Sequence, residues 1–239
     1  MGSSCQEIKM TKASKIFTFF LTSICLIFCI IVPGNNVYAK QLQDSTEQDG
    51  FSITVANDKN QLKPSENSRT TQNDKITLNE FTKLIVNEDA NVIRGIYVPG
   101  YMALRIVQQP IGDPAFVSTL GDVATQFSLA NKYGSIGLLA HNFAAGNYFF
   151  NLDKELIIDL IYGDGRVVNF KIVDIKKYQA IQPNSPTSNF KDLDNGIIIT
   201  ATQLFSKIYI NDGYLVLQTC INKYDIDSWG RIFLIAKPL

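Results

Sequence analysis

The chain has 239 residues, 46% of them hydrophobic, and 22 basic residues balance 22 acidic ones for a formal net charge of +0. That length accommodates one domain of ordinary size plus extensions. The balanced charge removes the long-range field expected of a nucleic-acid binder, so DNA and RNA are excluded as expected partners.

At the N-terminus, Lys9, Lys12 and Lys15 precede the uncharged run Ile16–Val32, which Pro33-Gly34 breaks. Basic, apolar, then polar is the order of an export signal. The basic flank is retained on the cytoplasmic side, which sends everything after Val32 outside. Two readings follow for residues 1–39. Val37-Tyr38-Ala39 is a small-residue cleavage site, making the segment a signal peptide cut after Ala39. The apolar run also approaches the lower limit of roughly 17 to 25 residues for a spanning helix, making it a retained membrane anchor. Met1-Gly2-Ser3-Ser4-Cys5 is similar to an acylation signal, but Gln6 stands where Ser or Thr is wanted. Residues 40–78 form a polar, flexible spacer: Gln, Asp, Asn, Ser, Thr and Lys dominate up to about Lys75, with few aromatics and no sustained apolar period. Such a segment acts as a tether that sets the reach of the domain beyond it.

Residues 79–239 are the expected folded domain. The stretch Ile76–Asn87 reads as a short helix, and from Gly95 the pattern changes to apolar runs punctuated by turn residues. Strands are predicted at Ile96–Val98, Met102–Val107, Ser135–Ala140, Glu155–Tyr162, Val167–Tyr178, Tyr214–Cys220 and Arg231–Lys237. Asp164-Gly165 is a hairpin signal between two of them. Helical pieces are predicted within Pro114–Lys132 and Thr200–Ile208, where alternation fails. Several short strands with minor helices make the fold mainly β and point to a closed or nearly closed barrel.

Of the four cysteines, Cys5, Cys25 and Cys29 lie in the export segment, so the exported domain holds Cys220 alone and has no internal disulfide. An unpaired cysteine on the oxidising side of a membrane is either buried or used. A nucleophilic thiol needs a base to generate its thiolate, and imidazole titrates closest to neutrality. The chain's one histidine, His141, follows the apolar run Ile136–Ala140, at a strand end. Cys220 ends its own predicted strand and Arg231 opens the last one. If these two strands pair as antiparallel neighbours, Cys220 and Arg231 share an edge, about one strand spacing of 4.8 Å apart. Taken singly, each has a structural reading: His141 as a loop residue, Cys220 as a small core filler, Arg231 as a strand-capping charge. Together they form a candidate catalytic set.

The sequence from Gly137 to the C-terminus resembles a sortase, a cell-surface cysteine transpeptidase. Leu139-Ala140-His141-Asn142 matches the histidine motif, Leu217-Gln218-Thr219-Cys220 the nucleophile motif, and Gly230-Arg231-Ile232-Phe233-Leu234-Ile235-Ala236 the arginine strand. A weaker match extends back to about Gly95, and an N-terminal signal or anchor followed by a spacer is also the family's layout. The resemblance implies a closed antiparallel β-barrel of about eight strands with short helices. It also implies a two-step acyl transfer. Cys220 attacks a peptide bond inside a C-terminal sorting motif such as LPXTG, giving a thioacyl enzyme that an amine of the cell wall or a pilin lysine resolves. His141 would act as acid and base, and Arg231 would hold substrate or oxyanion. Ala140 and Thr219, which flank the reacting side chains, are implied as substrate contacts. Val216 stands where many sortases have Thr, and Ala140 precedes His141 in place of a Thr-Gly pair. Both departures bear on the local substrate contacts and not on the chemistry.

The resemblance further implies that the segment Tyr178–Gly213, with Gln182-Pro183-Asn184-Ser185-Pro186, shapes a substrate groove; its residues alone read equally as a surface insertion. The implied partners are surface proteins carrying a sorting motif, an amine acceptor of cell wall or pilin, and the membrane through the N-terminal segment. The expected location is the outer side of a bacterial cell membrane. No cofactor and no metal site is expected; Asp192, Asp194, Asp225 and Asp227 are the carboxylates from which a calcium site would have to be built. Two other readings of the constellation stay open: a cysteine hydrolase that uses water as acceptor, and a non-enzymatic surface barrel that binds a wall component and keeps Cys220 buried.

Overall fold

The structure, a computed structural model, describes residues 76–185 and 187–239. The export run Ile16–Val32 and nearly all of the spacer lie outside the described residues. Among the described residues, no helix is long and apolar enough to cross a membrane.

The first element is helix α1, Leu78–Ile85. Its start is written in the sequence: Thr77 and Glu80 form a reciprocal capping box that satisfies orphan N–H groups. Phe81 and Ile85, four residues apart and therefore on one face, are buried against Ile161. Ten strands follow. They are β1 Ile93–Val98, β2 Met102–Gln108, β3 Val123–Phe127, β4 Ile136–Leu139, β5 Ile157–Tyr162, β6 Val167–Ala180, β7 Phe190–Asp192, β8 Ile198–Ile199, β9 Leu215–Lys223 and β10 Ile226–Pro238. Helix α2, Ser128–Lys132, separates β3 from β4; a 3-10 helix, Ala145–Asn151, follows β4; helix α3, Ala201–Tyr209, follows β8.

Strand order runs β10-β9-β4-β3-β2-β1-β5-β6, and β6 pairs with β10 to close a barrel of eight strands. Closure removes free edges from all eight. The long strand β6 makes this possible. Its first part pairs with β5, nearly its whole length pairs with β10, and its last residues also pair with β7, which carries β8 outside the ring. Alternate residues point inward: Leu104, Leu138, Leu160, Ile172, Leu217 and Leu234 belong to one interior core. On the outer face of β9 and β10, Val216 and Phe233 pack beneath α3, against Leu204, Phe205 and Tyr209.

The closed eight-stranded barrel matches the expectation, but the barrel is mixed. Six of its pairings are antiparallel, while β2–β3 and β4–β9 are parallel. Parallel neighbours require a crossover, supplied before β3 by the segment 109–122 and before β9 by everything from the 3-10 helix to α3. Within the span Pro114–Lys132, where helical pieces are predicted, α2 is the α-helix, and the unpredicted strand β3 occupies Val123–Phe127. This strand is buried at four of five positions, so its sequence has no alternation to reveal it.

Candidate active site

The outer face of β9 is anchored from behind. Thr200 caps α3 through a second capping box with Gln203, and α3 ends on Tyr209, whose hydroxyl donates to Gln218 Oε1 at 2.5 Å. Ser135 Oγ donates to the Tyr209 carbonyl in a very short bond. Gln218 is thereby fixed on the outer face, and Cys220, two residues on, shares that face. The Cys220 thiol is free and half-buried.

Register decides what surrounds it. Cys220 and Arg231 are Cα partners in the antiparallel β9–β10 ladder, and Arg231 is in turn the partner of Tyr178 on β6. On the other side, Leu139 of β4 is level with Gln218 in a parallel pairing, and the Ala140 N–H donates to the Gln218 carbonyl at 3.2 Å. His141 lies two residues beyond Leu139, past the end of this pairing, as Cys220 lies two residues beyond Gln218 on β9. Strand β9 thus runs between β4, whose chain leads on to His141, and β10, which carries Arg231.

Arg231 is 4% exposed. Its Nη1 donates to the carbonyls of Ser228 at 3.1 Å and Gly230 at 2.8 Å. Those carbonyls belong to an irregularity in β10: Ile226 faces Lys223, but the next partner, Gly230, faces Ile221. The bulge of Asp227, Ser228 and Trp229 thus turns carbonyls toward the guanidinium. Cys220 and Arg231 are therefore not at strand ends as expected. β9 continues to Lys223, and Tyr224-Asp225 form a tight turn with positive φ at both residues, 55° and 59°. That conformation suits a two-residue hairpin but is unusual for Tyr-Asp, so the turn went unread.

His141 lies past the end of β4. The backbone of Val117 lies close enough to the imidazole to favour its protonated form, and the ring stacks on Phe143 with centroids 4.8 Å apart. Burial outweighs Val117 and holds the His141 pKa below the ordinary imidazole value. Its own carbonyl accepts from Ala144 N–H at 3.0 Å and Gly146 N–H at 2.9 Å, starting the 3-10 helix, whose Ala145 and Phe149 join the barrel interior. Asn142, adjacent in sequence, points its amide to the Asp227 carbonyl at 3.2 Å, tying the histidine segment to the β10 bulge.

Ala140 and Thr219, expected as substrate contacts, are both buried. Thr219 Oγ1 has no hydrogen-bond partner among the described residues, and a Cβ on Gly146 would come within 2.3 Å of it. The two residues form the floor beneath His141 and Cys220. The four carboxylates considered for calcium are not gathered. Asp192 pairs with Lys207 at 3.2 Å and Asp194 with Lys176 at 3.0 Å, and among the described residues no three His, Cys, Asp or Glu side chains are grouped to hold a metal.

Sequence reasoning missed Val117, Phe143, Gly146 and the bulge. A backbone group has no residue signature, and Gly146 carried one only in retrospect, as a small residue just after the histidine motif.

No family model and no curated protein matches this sequence. Solved structures do. Listeria monocytogenes sortase A is 14% identical, with 63% of this chain and 88% of that one covered at a TM-score of 0.41. A lid mutant of Corynebacterium diphtheriae sortase A is 11% identical over 68% of this chain and 76% of its own, with a TM-score of 0.42. Sortase E1 from Streptomyces coelicolor, solved with a tripeptide in its active site, is 13% identical over 62% and 87%, with a TM-score of 0.39. The solved structures to which this chain is similar include sortases of classes A, C and E.

Proposed function

We propose that this protein is a sortase-type cysteine transpeptidase acting at the outer side of a bacterial cell membrane. The observation that carries the reading is the register: Cys220 is the Cα partner of a buried arginine on β10, and on its other flank β9 pairs with β4, whose chain runs on to the chain's one histidine. The match of all three to the sortase motifs supports it further.

In the proposed reaction His141 takes the thiol proton as Cys220 Sγ attacks the carbonyl of a sorting-motif peptide bond. The lowered basicity that burial imposes leaves the imidazole neutral near pH 7, the form a general base requires. The Arg231 guanidinium stabilises the oxyanion. His141 returns its proton to the departing amine, and Cys220 is left as a thioester. An acceptor amine from the cell wall or a pilin then attacks, gives up a proton to His141, and releases the joined product with the thiol regenerated. The N-terminal basic and apolar pattern supports export, with the polar spacer as tether.

The test is product analysis with a library of sorting-motif peptides, with and without an added oligoglycine amine. A transpeptidase gives the joined product when the amine is present. Cleavage products unaffected by amine would indicate a hydrolase, and no conversion of any peptide would indicate a binding barrel.

A further inference from the structure

Two groups that belong to loops act on His141. The backbone of Val117, between β2 and β3, favours its protonated form. Phe143 covers a face: the two rings lie 18° from parallel at 4.8 Å. Phe143 is itself 70% exposed, so burial does not account for where its ring sits; the surface it covers is the imidazole. The backbone joining the two is pinned, since the His141 carbonyl receives two N–H groups and Asn142 is tied to Asp227.

A polar backbone neighbour alone lets the imidazole plane rock. A stacked ring removes that freedom and keeps water from one face. We propose that Phe143 is a positioning residue for His141, its stacked ring fixing the imidazole plane. The role in turnover rests on reading His141 as the acid–base partner of Cys220; the positioning itself does not. The ionisable groups on the segments around His141 are Cys220 on β9, Arg231 and Asp227 on β10, the last bonded through its carboxylate to Asn222, and Asp113 and Asp122 in the 109–122 segment, of which Asp122 is paired with Arg105 at 2.8 Å. Burial is the larger influence on the titration of His141, and it lowers the pKa. Uncovering the face therefore acts through hydration, and it favours the protonated ring.

The chain has one histidine, so full-length protein labelled at histidine gives a single imidazole signal whose titration reads His141 directly. Phe143→Ala is expected to raise its midpoint toward that of a solvated imidazole, and Phe143→Trp to keep it low. The second readout is iodoacetamide alkylation of Cys220, followed by peptide mapping to separate it from the other cysteines. The alanine variant should react several-fold more slowly near pH 7, and tryptophan should restore the rate. An unchanged midpoint and unchanged alkylation profile in Phe143→Ala would overturn the proposal. Should that variant lose its unfolding transition, Phe143→Leu, which keeps apolar cover without a ring, decides by the same two readouts. Shifts in both measurements in a protein that converts no sorting peptide would leave Phe143 in its role and remove the transpeptidase reading.

Discussion

Arginine at 231 is held by the strand it belongs to, through Nη1 and the bulge carbonyls of Ser228 and Gly230. A lysine there keeps the charge and loses the planar fork. Arg231→Lys is expected to cost on the order of a hundredfold in kcat, as removal of an oxyanion donor does, while iodoacetamide still modifies Cys220. A rise in KM alone would mean that Arg231 binds substrate and transition state equally. Gly146 tests the floor of the site. A methyl there would meet Thr219 Oγ1 at 2.3 Å and the His141 carbonyl at 2.7 Å. Gly146→Ala is expected to destabilise the domain by about 1–3 kcal/mol, as overpacking does, and to displace His141, seen as lower turnover together with a lower Tm. Asp159 lies on the wall away from the site, with Asn169 Nδ2 donating to it at 2.5 Å. Burial raises its pKa. A carboxyl raised in the folded state contributes stability that is complete below its unfolded pKa and lost as pH rises through the folded value. Asp159→Asn keeps an acceptor for Asn169 and removes that loss. It should raise Tm at pH 7 by about 2–4 °C and leave it unchanged near pH 3, where the carboxyl is neutral in both states.

Apolar runs are readable as strands whether they alternate, as Met102–Gln108 does, or are buried on both faces, as Ile157–Tyr162 is. Val123–Phe127 is neither an apolar run nor an alternating one, since Thr125 and Gln126 interrupt it, and its sequence does not announce a strand. Both capped helices carry their Thr and Glu or Gln at the right spacing, so α1 and α3 were legible to within a few residues. The β9–β10 hairpin was half legible. The adjacency of Cys220 and Arg231 followed from two apolar runs joined by a short connection. The extension beyond them did not, because Tyr-Asp is a poor advertisement for a turn with two positive φ values. Nor could sequence reveal that β4 lies beside β9 in parallel, the pairing that leads the chain toward His141 next to the strand of Cys220, since it joins segments far apart in the chain. Helix α3 supports that arrangement through the Tyr209–Gln218 bond. Tyr209→Phe leaves Gln218 buried without its donor, and denaturant unfolding should register a loss of about 1–3 kcal/mol.

At the scale of the molecule, the barrel interior holds the main apolar core, and the proposed site lies on its outer wall. The domain boundary expected at residue 79 cuts through α1's cap. Thr77 closes the capping box, and the Ile76 carbonyl accepts from the Tyr97 hydroxyl at 3.1 Å. A fragment from Ile76 and one from Asn79 should both fold, the shorter less stable by about 1 kcal/mol, the worth of a lost N-cap, as chemical denaturation would show. The central claim is that Cys220 is an acylating nucleophile supported by His141 and Arg231. It is tested most directly by intact-mass and peptide-mapping spectrometry of the protein incubated with the sorting-motif library. The account predicts a mass at Cys220 equal to the N-terminal part of a cleaved peptide. That mass should be discharged by an added amine, absent from Cys220→Ala, and strongly reduced in His141→Ala with the fold intact. A protein that leaves every peptide whole, or that carries the same adduct after Cys220→Ala, would contradict it.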